Sequence, residues 1–505
     1  MIDLGSNSWR LVVFSFGAGG WWKRTDELYE TVRIGEGLGA SGRLSGHAID
    51  RGLETLVVFE RFCRAGRLGA DDVLAFATSA IRDATNGEEF LARARASIGL
   101  HVELLSAPEE AYYGYVAAVN TTTLNDGVAL DIGGGSMQLV QVADRAALSL
   151  DSFALGALRL TEQFLHGGEP ARRKDLSRIR SHVRDALSDL DWLPGCRGHL
   201  VGIGGAVRNL AAAAERLAFG SLGGIDIGVQ GFVITPEALD ELVSLLASLP
   251  AAKRGEVPGI KPGRGDIILA AAVALAAVLE LGEFDGIEAT EAGLRDGVFL
   301  ARTLLDEQRP LFENVRTAAV RNLAIQYESD LAHIEHVAEL ALQMHESLVQ
   351  AGVFYPKPGE DELLWAASML HDVGMTISYD DHHKHSRYLI LGAELPGFDP
   401  RERALIAQIT RYHRKGAPKL GEWSKLAQSG DEELLDRCAV ILRLAEHLER
   451  GRDQSVREAR LWINGDGVAL HLDAAGDLTL PRWSVERYGD DEAFERVFAR
   501  RLVVG

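Results

Sequence analysis

In the N-terminal part of the chain, short stretches alternate apolar and polar positions, and longer stretches repeat apolar positions at helical spacing. Alternation predicts half-buried strands, whereas a period of 3.6 residues predicts amphipathic helices. The order along the chain is βββαβαβα, which indicates an α/β domain over residues 1–120. The pattern predicts strands near 2–4, 9–16, 22–33, 73–77 and 101–105, and helices near 46–66, 87–97 and from about 107.

The same order of elements follows again further along the chain, which predicts a second, similar α/β domain over 121–305. A loop between the first two strands also recurs, with Asp, Gly and Ser in register. Two such loops predict phosphate sites that face each other across a cleft. Strands are predicted at 127–131, 137–142, 146–153 and 198–203, and helical stretches from about 156 to 190. The two loops read Asp3-Leu4-Gly5-Ser6-Asn7-Ser8 and Asp131-Ile132-Gly133-Gly134-Gly135-Ser136.

The glycines of the second loop suit a phosphate cradle. Three consecutive glycines, residues 133–135, allow positive φ and bring backbone N–H groups close to an anion. A carboxylate at the end of the incoming strand, Asp131 here and Asp3 in the first loop, can hold a divalent cation beside that anion. An ordinary glycine-rich hairpin is the alternative.

A third glycine-rich loop follows the strand at 198–203 and opens a helix. The N–H groups of a helix N-terminus suit an anion, so this loop is a further phosphate site. The predicted phosphate-binding residues of the three loops are Gly5, Ser6, Asn7, Ser8, Gly133, Gly134, Gly135, Ser136, Gly204, Gly205 and Arg208.

Two charged side chains are candidates for catalysis. Arg82 follows the strand at 73–77, at the end where open α/β sheets bind ligands, and its planar fork can hold two phosphate oxygens. A surface arginine is the alternative. Ser106 fits an N-cap, which makes Glu109 its partner in a capping box and leaves Glu110 free to face the cleft. A carboxylate there can orient and activate water for hydrolysis of a phosphoanhydride.

These segments resemble a known family. Both aspartate loops are similar to those of the acetate and sugar kinase/actin superfamily. Within it, they resemble the exopolyphosphatase/guanosine pentaphosphate phosphohydrolase (Ppx/GppA) family. The segment at 106–111 resembles the family's Ser-Gly-x-Glu-Glu-Ala, whose second glutamate is catalytic, and 202–209 resembles its third loop. The resemblance implies two ribonuclease-H-like domains facing across a cleft, Mg²⁺ as cofactor with Mn²⁺ as the alternative, and a homodimer.

The resemblance continues into the C-terminal third, where long amphipathic helices carry clustered histidines. It implies an all-α HD-type domain over 306–455 and a small α+β module over 456–505. The candidate ligands of a second divalent ion are His333, His371, Asp372 and Glu446. The HD superfamily has aspartate where Glu446 stands, and the longer side chain moves the carboxylate outward. We therefore favour a structural, degenerate domain over a working metal site.

Composition limits the partners. The 505 residues carry a formal charge of −20, which argues against nucleic acid as a partner. No apolar run is long enough to cross a bilayer and no signal peptide is predicted, so no membrane is expected. Three separate cysteines favour a reducing cytoplasm. A basic run that includes His413, Arg414 and Lys415 is predicted to guide a long polyanion, with nearby His382, His383 and His385 adding charge below about pH 6.5. An ordinary solvated helix face or loop is the alternative.

The predicted function is release of the terminal phosphate from inorganic polyphosphate by a Mg²⁺-dependent hydrolase. Three alternatives remain. One is hydrolysis of pppGpp to ppGpp, which presents the same terminal phosphoanhydride. A second is a non-catalytic nucleotide-binding relative of actin, which would not need Glu110. A third is a sugar or acetate kinase, for which no acceptor-binding feature is visible.

Overall fold

The computed structural model describes residues 1–17, 20–165, 170–220, 227–306, 308–489 and 491–504. The described chain divides into two compact units, one formed by residues 1–220 with 229–315 and the other by residues 316–504 with 227–228. Among the described residues, no helix is both long and apolar enough to cross a membrane.

The first unit begins with a five-stranded sheet in the order β3-β2-β1-β4-β5. The strand β1 pairs antiparallel with β2 and parallel with β4. The strands are β1 (Ile2–Leu4), β2 (Trp9–Gly17), β3 (Trp21–Glu30), β4 (Ala75–Ala77) and β5 (Val102–Leu104). The helices are α1 (Leu38–Ser41), α2 (Gly46–Ala65), α3 (Ser79–Asp83), α4 (Gly87–Ile98) and α5 (Ala107–Thr121).

A second sheet in the same unit repeats this arrangement in the order β8-β7-β6-β9-β11, with β10 added at the edge. Its strand β6 again pairs antiparallel with the next strand and parallel with β9. The predicted α/β class and its repeat along the chain are therefore confirmed. The strands are β6 (Gly127–Ile132), β7 (Met137–Ala143), β8 (Ala146–Phe153), β9 (His199–Ile203), β10 (Val233–Ile234) and β11 (Ile287–Ala289). The helices are α6 (Ala157–Phe164), α7 (Arg173–Ala186), α8 (Gly204–Phe219), α9 (Pro236–Ser248), α10 (Ile268–Gly282) and α11 (Leu294–Phe299).

Two helices decide where the core and the site lie. Helix α10 is apolar on all sides and almost wholly buried, as its uninterrupted apolar run predicts. Helix α5 follows the first sheet, and the predicted domain boundary at 120 assigns it to the first domain. It packs instead on β6, β7, β8 and β9 of the second sheet. The first turn of α5 lies beside the loop that follows β6, because Ser136 of that loop hydrogen-bonds to Glu110.

The second unit is mostly helical. Its helices are α12 (Val315–Gln326), α13 (Leu331–Gln350), α14 (Glu360–Leu370), α15 (His382–Gly392), α16 (Pro400–Arg411) and α17 (Asp431–Leu448). The C-terminal residues begin with an antiparallel hairpin, formed by β12 (Val456–Asn464) and β13 (Gly467–Ala474). The structure adds α18 (Thr479–Tyr488), α19 (Asp491–Phe498) and β14 (Arg501–Val504), a strand that pairs parallel with β13 and that the sequence pattern did not indicate.

Short 3-10 or π segments complete the described elements of both units. They are Ala70–Asp72, Ala251–Glu256, Pro262–Arg264, Leu300–Leu304, Val373–Thr376 and Gly421–Lys425.

Candidate active site

One pocket in the first unit brings together the three glycine loops and the start of α5. Its cavity volume of about 110 Å³ exceeds the space that a single ordered water needs. Predicted site residues that line it are Asp3, Gly5, Ser6, Asn7, Ser8, Glu110, Asp131, Gly133, Gly134, Ser136, Gly204, Gly205 and Arg208. The remaining lining residues are Arg10, Thr78, Ser79, Ile132, Arg264, Gly293, Leu294 and Arg295. Gly135 lines a smaller neighbouring cavity.

The second loop needs glycine for close approach and not for positive φ. None of its three glycines has a positive φ, contrary to the reason given from the sequence. A Cβ on Gly135 would lie 2.6 Å from Ser79 Oγ and 2.7 Å from Ser6 Oγ. A Cβ on Gly134 would lie 3.1 Å from Asn7 Cβ. The first and second loops therefore touch, which a side chain at either glycine would prevent.

Helix α6 fixes the direction of the second loop. The N–H groups of Ala157 and Leu158, in its first turn, donate to the carbonyl oxygens of Gly133 and Gly134 at 2.9 Å. Arg159 donates from Nε to the carbonyl of Gly135 at 3.0 Å. Because these bonds hold the carbonyl oxygens on the side of α6, they favour a loop whose N–H groups face the other way.

The third loop opens α8, and here glycine is required for both reasons. Gly204 has a φ of +92°, which side-chain-bearing residues rarely adopt. A Cβ on Gly205 would lie 2.3 Å from Arg264 Nη2, so the guanidinium packs flat against the loop. Arg208, one turn into α8, donates to the carbonyl oxygens of Glu291 and Ala292. These contacts anchor two arginines beside the pocket.

The two adjacent glutamates at the start of α5 lie in different environments. Ser106 caps the helix, and Glu109 accepts from the Ser106 N–H at 2.8 Å, so the predicted capping box is confirmed. Glu109 is exposed, whereas Glu110 is buried and lines the pocket. Ser136 of the second loop donates from Oγ to Glu110 Oε1 at 3.4 Å. Only Glu110 is therefore placed to meet a bound group.

Arg82 contacts Glu110 and does not line the pocket among the described residues. Its Nη1 donates to Glu110 Oε2 and to the carbonyl oxygen of Leu105, both at 2.9 Å. This position differs from the phosphate clamp that the sequence suggested, which stays a prediction. In the structure, Arg82 orients the glutamate and partly neutralises it.

Burial and neighbouring charges shift the pKa values of the pocket's carboxyl groups upward. Burial raises the pKa of Glu110 to about 7, against the opposing effect of the Arg82 guanidinium. Burial also raises the pKa of Asp131 to about 6, and the nearby Asp3 carboxylate adds to this shift while Arg208 opposes it. Burial raises the pKa of Asp3 as well. Three acidic groups in one small pocket thus repel each other and favour a cation or a proton.

Arginines that the sequence analysis did not assign to the site surround these carboxyl groups. Arg295 donates from Nη1 to Asp3 Oδ2 at 2.8 Å. Arg10, on β2, pairs with Glu27 and lies 4.9 Å from the ring centre of Tyr29. Together with Arg208 and Arg264 they make the pocket suitable for a multiply charged anion. No local sequence pattern marked Arg10, Arg264 or Arg295 as part of the site.

The donors in this pocket fit a hard divalent cation only if substrate and water complete its shell. Asp3 and Asp131 offer carboxylate oxygens, which Mg²⁺ prefers. The buried Asn7 amide adds an oxygen and a nitrogen with no hydrogen-bond partner among the described residues. Within the described chain, however, groups of three His, Cys, Asp or Glu ligand atoms within 4.8 Å of one another occur only in the helical unit.

That helical unit brings the four predicted ligands of a second ion together. The Nε2 atoms of His333 and His371 each lie 3.2 Å from Glu446 Oε2. Asp372 Oδ1 lies 3.7 Å from His371 Nε2. Glu446 thus reaches the histidines, although the sequence suggested that its longer side chain would move the carboxylate away.

The structure corrects the predicted basic path, because three of its histidines, His382, His383 and His413, are buried. His413 is buried, at 1% exposure, and burial lowers its pKa well below the usual range, so it stays neutral and away from any surface path. The pKa of the buried His383 is lowered to about 4 and that of His382 is lowered too, chiefly by burial. Lys415 is exposed, and Arg414 is half-buried with its guanidinium 5.4 Å from the Tyr379 ring centre.

Comparison with known families identifies most of the chain. The model of the Ppx/GppA phosphatase family matches residues 12–306, and that of the Ppx/GppA phosphatase domain III matches residues 315–479. A curated relative, guanosine-5'-triphosphate,3'-diphosphate pyrophosphatase of Vibrio vulnificus, is 28% identical over 480 residues, which cover 94% of this chain and 91% of the relative.

Solved structures agree with this assignment. The crystal structure of the Aquifex aeolicus Ppx/GppA family member is 26% identical with a TM-score of 0.51, covering 60% of this chain and 96% of that one. An exopolyphosphatase from Cytophaga hutchinsonii shares the fold, with a TM-score of 0.54 at 23% identity over 59% of this chain and 96% of that one. The chain belongs to the Ppx/GppA phosphatase family, whose members hydrolyse phosphoanhydrides.

Proposed function

We propose that this chain releases terminal orthophosphate from inorganic polyphosphate, with Mg²⁺ as its cofactor. The observation that carries the proposal is the position of Glu110. It is the buried carboxylate at the start of α5 that faces the glycine loops and hydrogen-bonds to Ser136 of one of them. Arginines around the same pocket supply the positive charge that a polyanion needs.

The residues have complementary tasks in this proposal. The glycine loops hold the terminal phosphate, and Glu110 accepts a proton from the water that attacks phosphorus in line with the leaving oxygen. The bond from phosphorus to the bridging oxygen breaks, and orthophosphate and a shortened chain leave. Arg10, Arg208, Arg264 and Arg295 offset the charge of the phosphate oxygens. Arg82 keeps Glu110 oriented.

The cation site is proposed at Asp131 and Asp3. When bound there, Mg²⁺ supplies charge neutralisation to the phosphate oxygens. Family members generally use divalent metal ions, and Mn²⁺ is the alternative to Mg²⁺. The two carboxyl groups suit such an ion because each lies in the pocket with a pKa raised by burial, so a cation would relieve the repulsion between them.

Replacing Asp131 by asparagine is expected to raise the Mg²⁺ concentration for half-maximal activity by about tenfold or more, because the change removes a charged oxygen ligand at similar size. The measurement is initial phosphate release against Mg²⁺ concentration for both proteins. An unchanged Mg²⁺ requirement would show that Asp131 does not hold the ion.

The rate should fall on the acid side of a pKa near 7. Glu110 must be ionised to accept a proton, and burial raises its pKa to about 7, so kcat/KM should decrease about tenfold per unit below that pH. A terminal phosphate titrates in the same range, so a variant must separate the two. Arg82→Gln removes the charge that lowers the pKa of Glu110 and should move the acid limb to higher pH. If the acid side of the pH profile stays at the same pH in this variant, the titrating group is the substrate phosphate.

Polyphosphate is favoured over pppGpp by the lining of the pocket. Among the described residues that line it, none is aromatic and only Ile132 and Leu294 have large apolar side chains. A guanine base would therefore find no stacking surface inside. The second candidate is hydrolysis of pppGpp to ppGpp, which the names of the curated relatives favour. In either case the pocket would hold the terminal phosphate.

The test is phosphate release from long polyphosphate, pppGpp and ATP, measured side by side at equal concentrations of terminal phosphate. The proposal predicts the highest kcat/KM with polyphosphate. A higher value with pppGpp would establish the second candidate. Equal, slow release from all three would contradict a phosphohydrolase specific for either substrate.

The remaining expectations are proposals of the same kind. We place the two sheets in actin-like halves that face across the pocket, and the helices of the second unit in an HD-type domain. The exposed Lys415 with Arg414 is the proposed contact for longer chains. The homodimer and the cytoplasmic location stay predictions.

A further inference from the structure

We propose that the helical unit binds two transition-metal ions at adjacent positions, with Asp372 as the ligand common to both. This site is separate from the phosphohydrolase pocket, since all its residues belong to the second unit. It reverses the interpretation of that region as a degenerate metal site. The proposed ligands are His333, His371, Asp372, His382, His413 and Glu446.

Three of the histidines are oriented by the same kind of hydrogen bond to a backbone carbonyl. The Nδ1 atom of His371 lies 2.6 Å from the carbonyl oxygen of Ser368, that of His382 lies 3.0 Å from Tyr379, and that of His413 lies 2.7 Å from Thr410. In each case the carbonyl belongs to the residue three positions earlier. Because a carbonyl oxygen can only accept, Nδ1 carries the proton. In the neutral imidazole, the form that binds a metal ion, the lone pair is then on the opposite nitrogen, Nε2, which faces the cluster.

The geometry of the second position indicates most clearly that it suits a cation. The Nε2 atoms of His382 and His413 face each other at 3.1 Å, and His382 Nε2 lies 3.3 Å from Asp372 Oδ1. Two lone pairs and a carboxylate at these distances repel each other unless a positive charge lies between them. The ligand atoms of Asp372, His382 and His413 all lie within 4.8 Å of one another.

The first position is formed by His333, His371 and Asp372, whose ligand atoms also lie within 4.8 Å of one another. Glu446 closes it, with Oε2 at 3.2 Å from both histidine Nε2 atoms. His333 is 2% exposed, yet neither of its ring nitrogens makes a hydrogen bond among the described residues. A metal ion bound to His333 Nε2 and to the Glu446 carboxylate would satisfy both of these buried groups.

Asp372 lies between the two positions. Its Oδ1 faces His371 and His382, and its Oδ2 lies 3.8 Å from His333 Nε2. Oδ2 also accepts from Arg452 Nη2 at 2.7 Å. The half-exposed Arg452 thus supplies a positive charge where an ion would bind, and ion and guanidinium compete for this oxygen.

The ligand types select the class of ion. Four imidazole nitrogens and two carboxylates suit Zn²⁺ or Fe²⁺, whereas Mg²⁺ prefers an all-oxygen shell. The expected occupants therefore differ from the Mg²⁺ proposed for the pocket of the first unit. The two sites can be distinguished by the ion they retain.

The test uses the full-length protein, stripped with a chelator, reconstituted with Zn²⁺ or, without oxygen, with Fe²⁺, and passed through gel filtration before elemental analysis. The wild type should retain two ions per chain. Asp372→Asn should lose both, and His382→Gln and His333→Gln should each lose one. His345→Gln is the matched control, because His345 is a buried histidine of the same helix as His333 that pairs with Glu360 outside the cluster. It should retain two ions, as should Asp131→Asn in the first unit.

A second measurement covers variants that fold poorly. The metal-induced rise in the thermal unfolding temperature is compared within each protein, with and without the ion. The rise should be large in the wild type and in His345→Gln, and absent in Asp372→Asn. A wild type that retains no ion and shows no rise with either metal would overturn the proposal. Equal loss of ions in His382→Gln and His345→Gln would overturn the assignment of the second position.

Discussion

Replacing Glu110 by glutamine is expected to lower kcat by more than about 10²-fold, because it removes the proton acceptor while keeping the size of the side chain. The amide can still accept a hydrogen bond from Arg82, so the geometry of the first turn of α5 should survive. The measurement is phosphate release from polyphosphate under saturating Mg²⁺. A variant with more than a tenth of the wild-type kcat would exclude Glu110 as the base.

Glu109→Gln is the matched control because it changes the neighbouring residue on the same helix turn. Glu109 accepts from the N–H and the hydroxyl of Ser106 and is exposed. Its replacement should cost about 0.5–1 kcal/mol of stability through the weakened cap and leave kcat almost unchanged. Equal kinetic damage from the two variants would show that the division of tasks between the glutamates is wrong.

The loss of activity in Glu110→Gln should be accompanied by a gain in stability at alkaline pH. The folded protein holds the pKa of Glu110 at about 7, above its ordinary value of 4.5, so ionisation opposes folding. The wild type therefore loses stability as pH rises from about 4.5 to about 7. Above that range the neutral glutamine should be more stable by about 3 kcal/mol, and the difference should vanish in acid. Denaturant unfolding at pH 8 and at pH 4.5 measures this difference.

Gly156→Ala is expected to lower activity by about 10²-fold, although Gly156 does not line the pocket among the described residues. Gly156 precedes α6 with a φ of −69°, so alanine brings no backbone strain. An added Cβ would lie 2.3 Å from the carbonyl carbon of Gly135 and 2.4 Å from that of Gly134. The second loop would have to move away from α6, and its hydrogen bonds to the helix N–H groups would break.

The overlap in Gly156→Ala should also cost about 1–3 kcal/mol of stability. Gly133→Ala is the control, since its added Cβ would meet only Ser136 O, at an ordinary distance of 3.6 Å. That variant lies in the loop itself and should keep activity within a few-fold of the wild type. If activity falls in Gly133→Ala but not in Gly156→Ala, the backbone freedom of the loop glycines, and not the packing of the loop on α6, determines the geometry of the site.

The fold was largely predictable because its signals are local. Alternation gave β2, β7 and β8 nearly to the residue, and the strand order then repeated. The capping box at Ser106 likewise depends on residues three positions apart. In contrast, β14 is a four-residue strand that pairs with β13, a partner distant in the sequence, and no local pattern signals that contact.

Contacts distant in sequence explain what the sequence analysis missed in the site. Arg295 meets Asp3 across almost 300 positions, and Arg264 reaches Gly205 from a 3-10 segment. His413 follows a helix end in a run of basic residues, which is typical of a surface, yet it packs against His382. The glycines of the second loop were found for the right reason in part: close approach is needed, positive φ is not.

The central claim is that water attacks the terminal phosphorus with Glu110 as the base. The most direct measurement is hydrolysis of polyphosphate in water enriched in heavy oxygen, followed by mass spectrometry of both products, for the wild type and Glu110→Gln. We expect one labelled oxygen in the released orthophosphate, none in the shortened chain, and almost no labelled product from the variant. Label in the shortened chain, or undiminished labelling by Glu110→Gln, would contradict it.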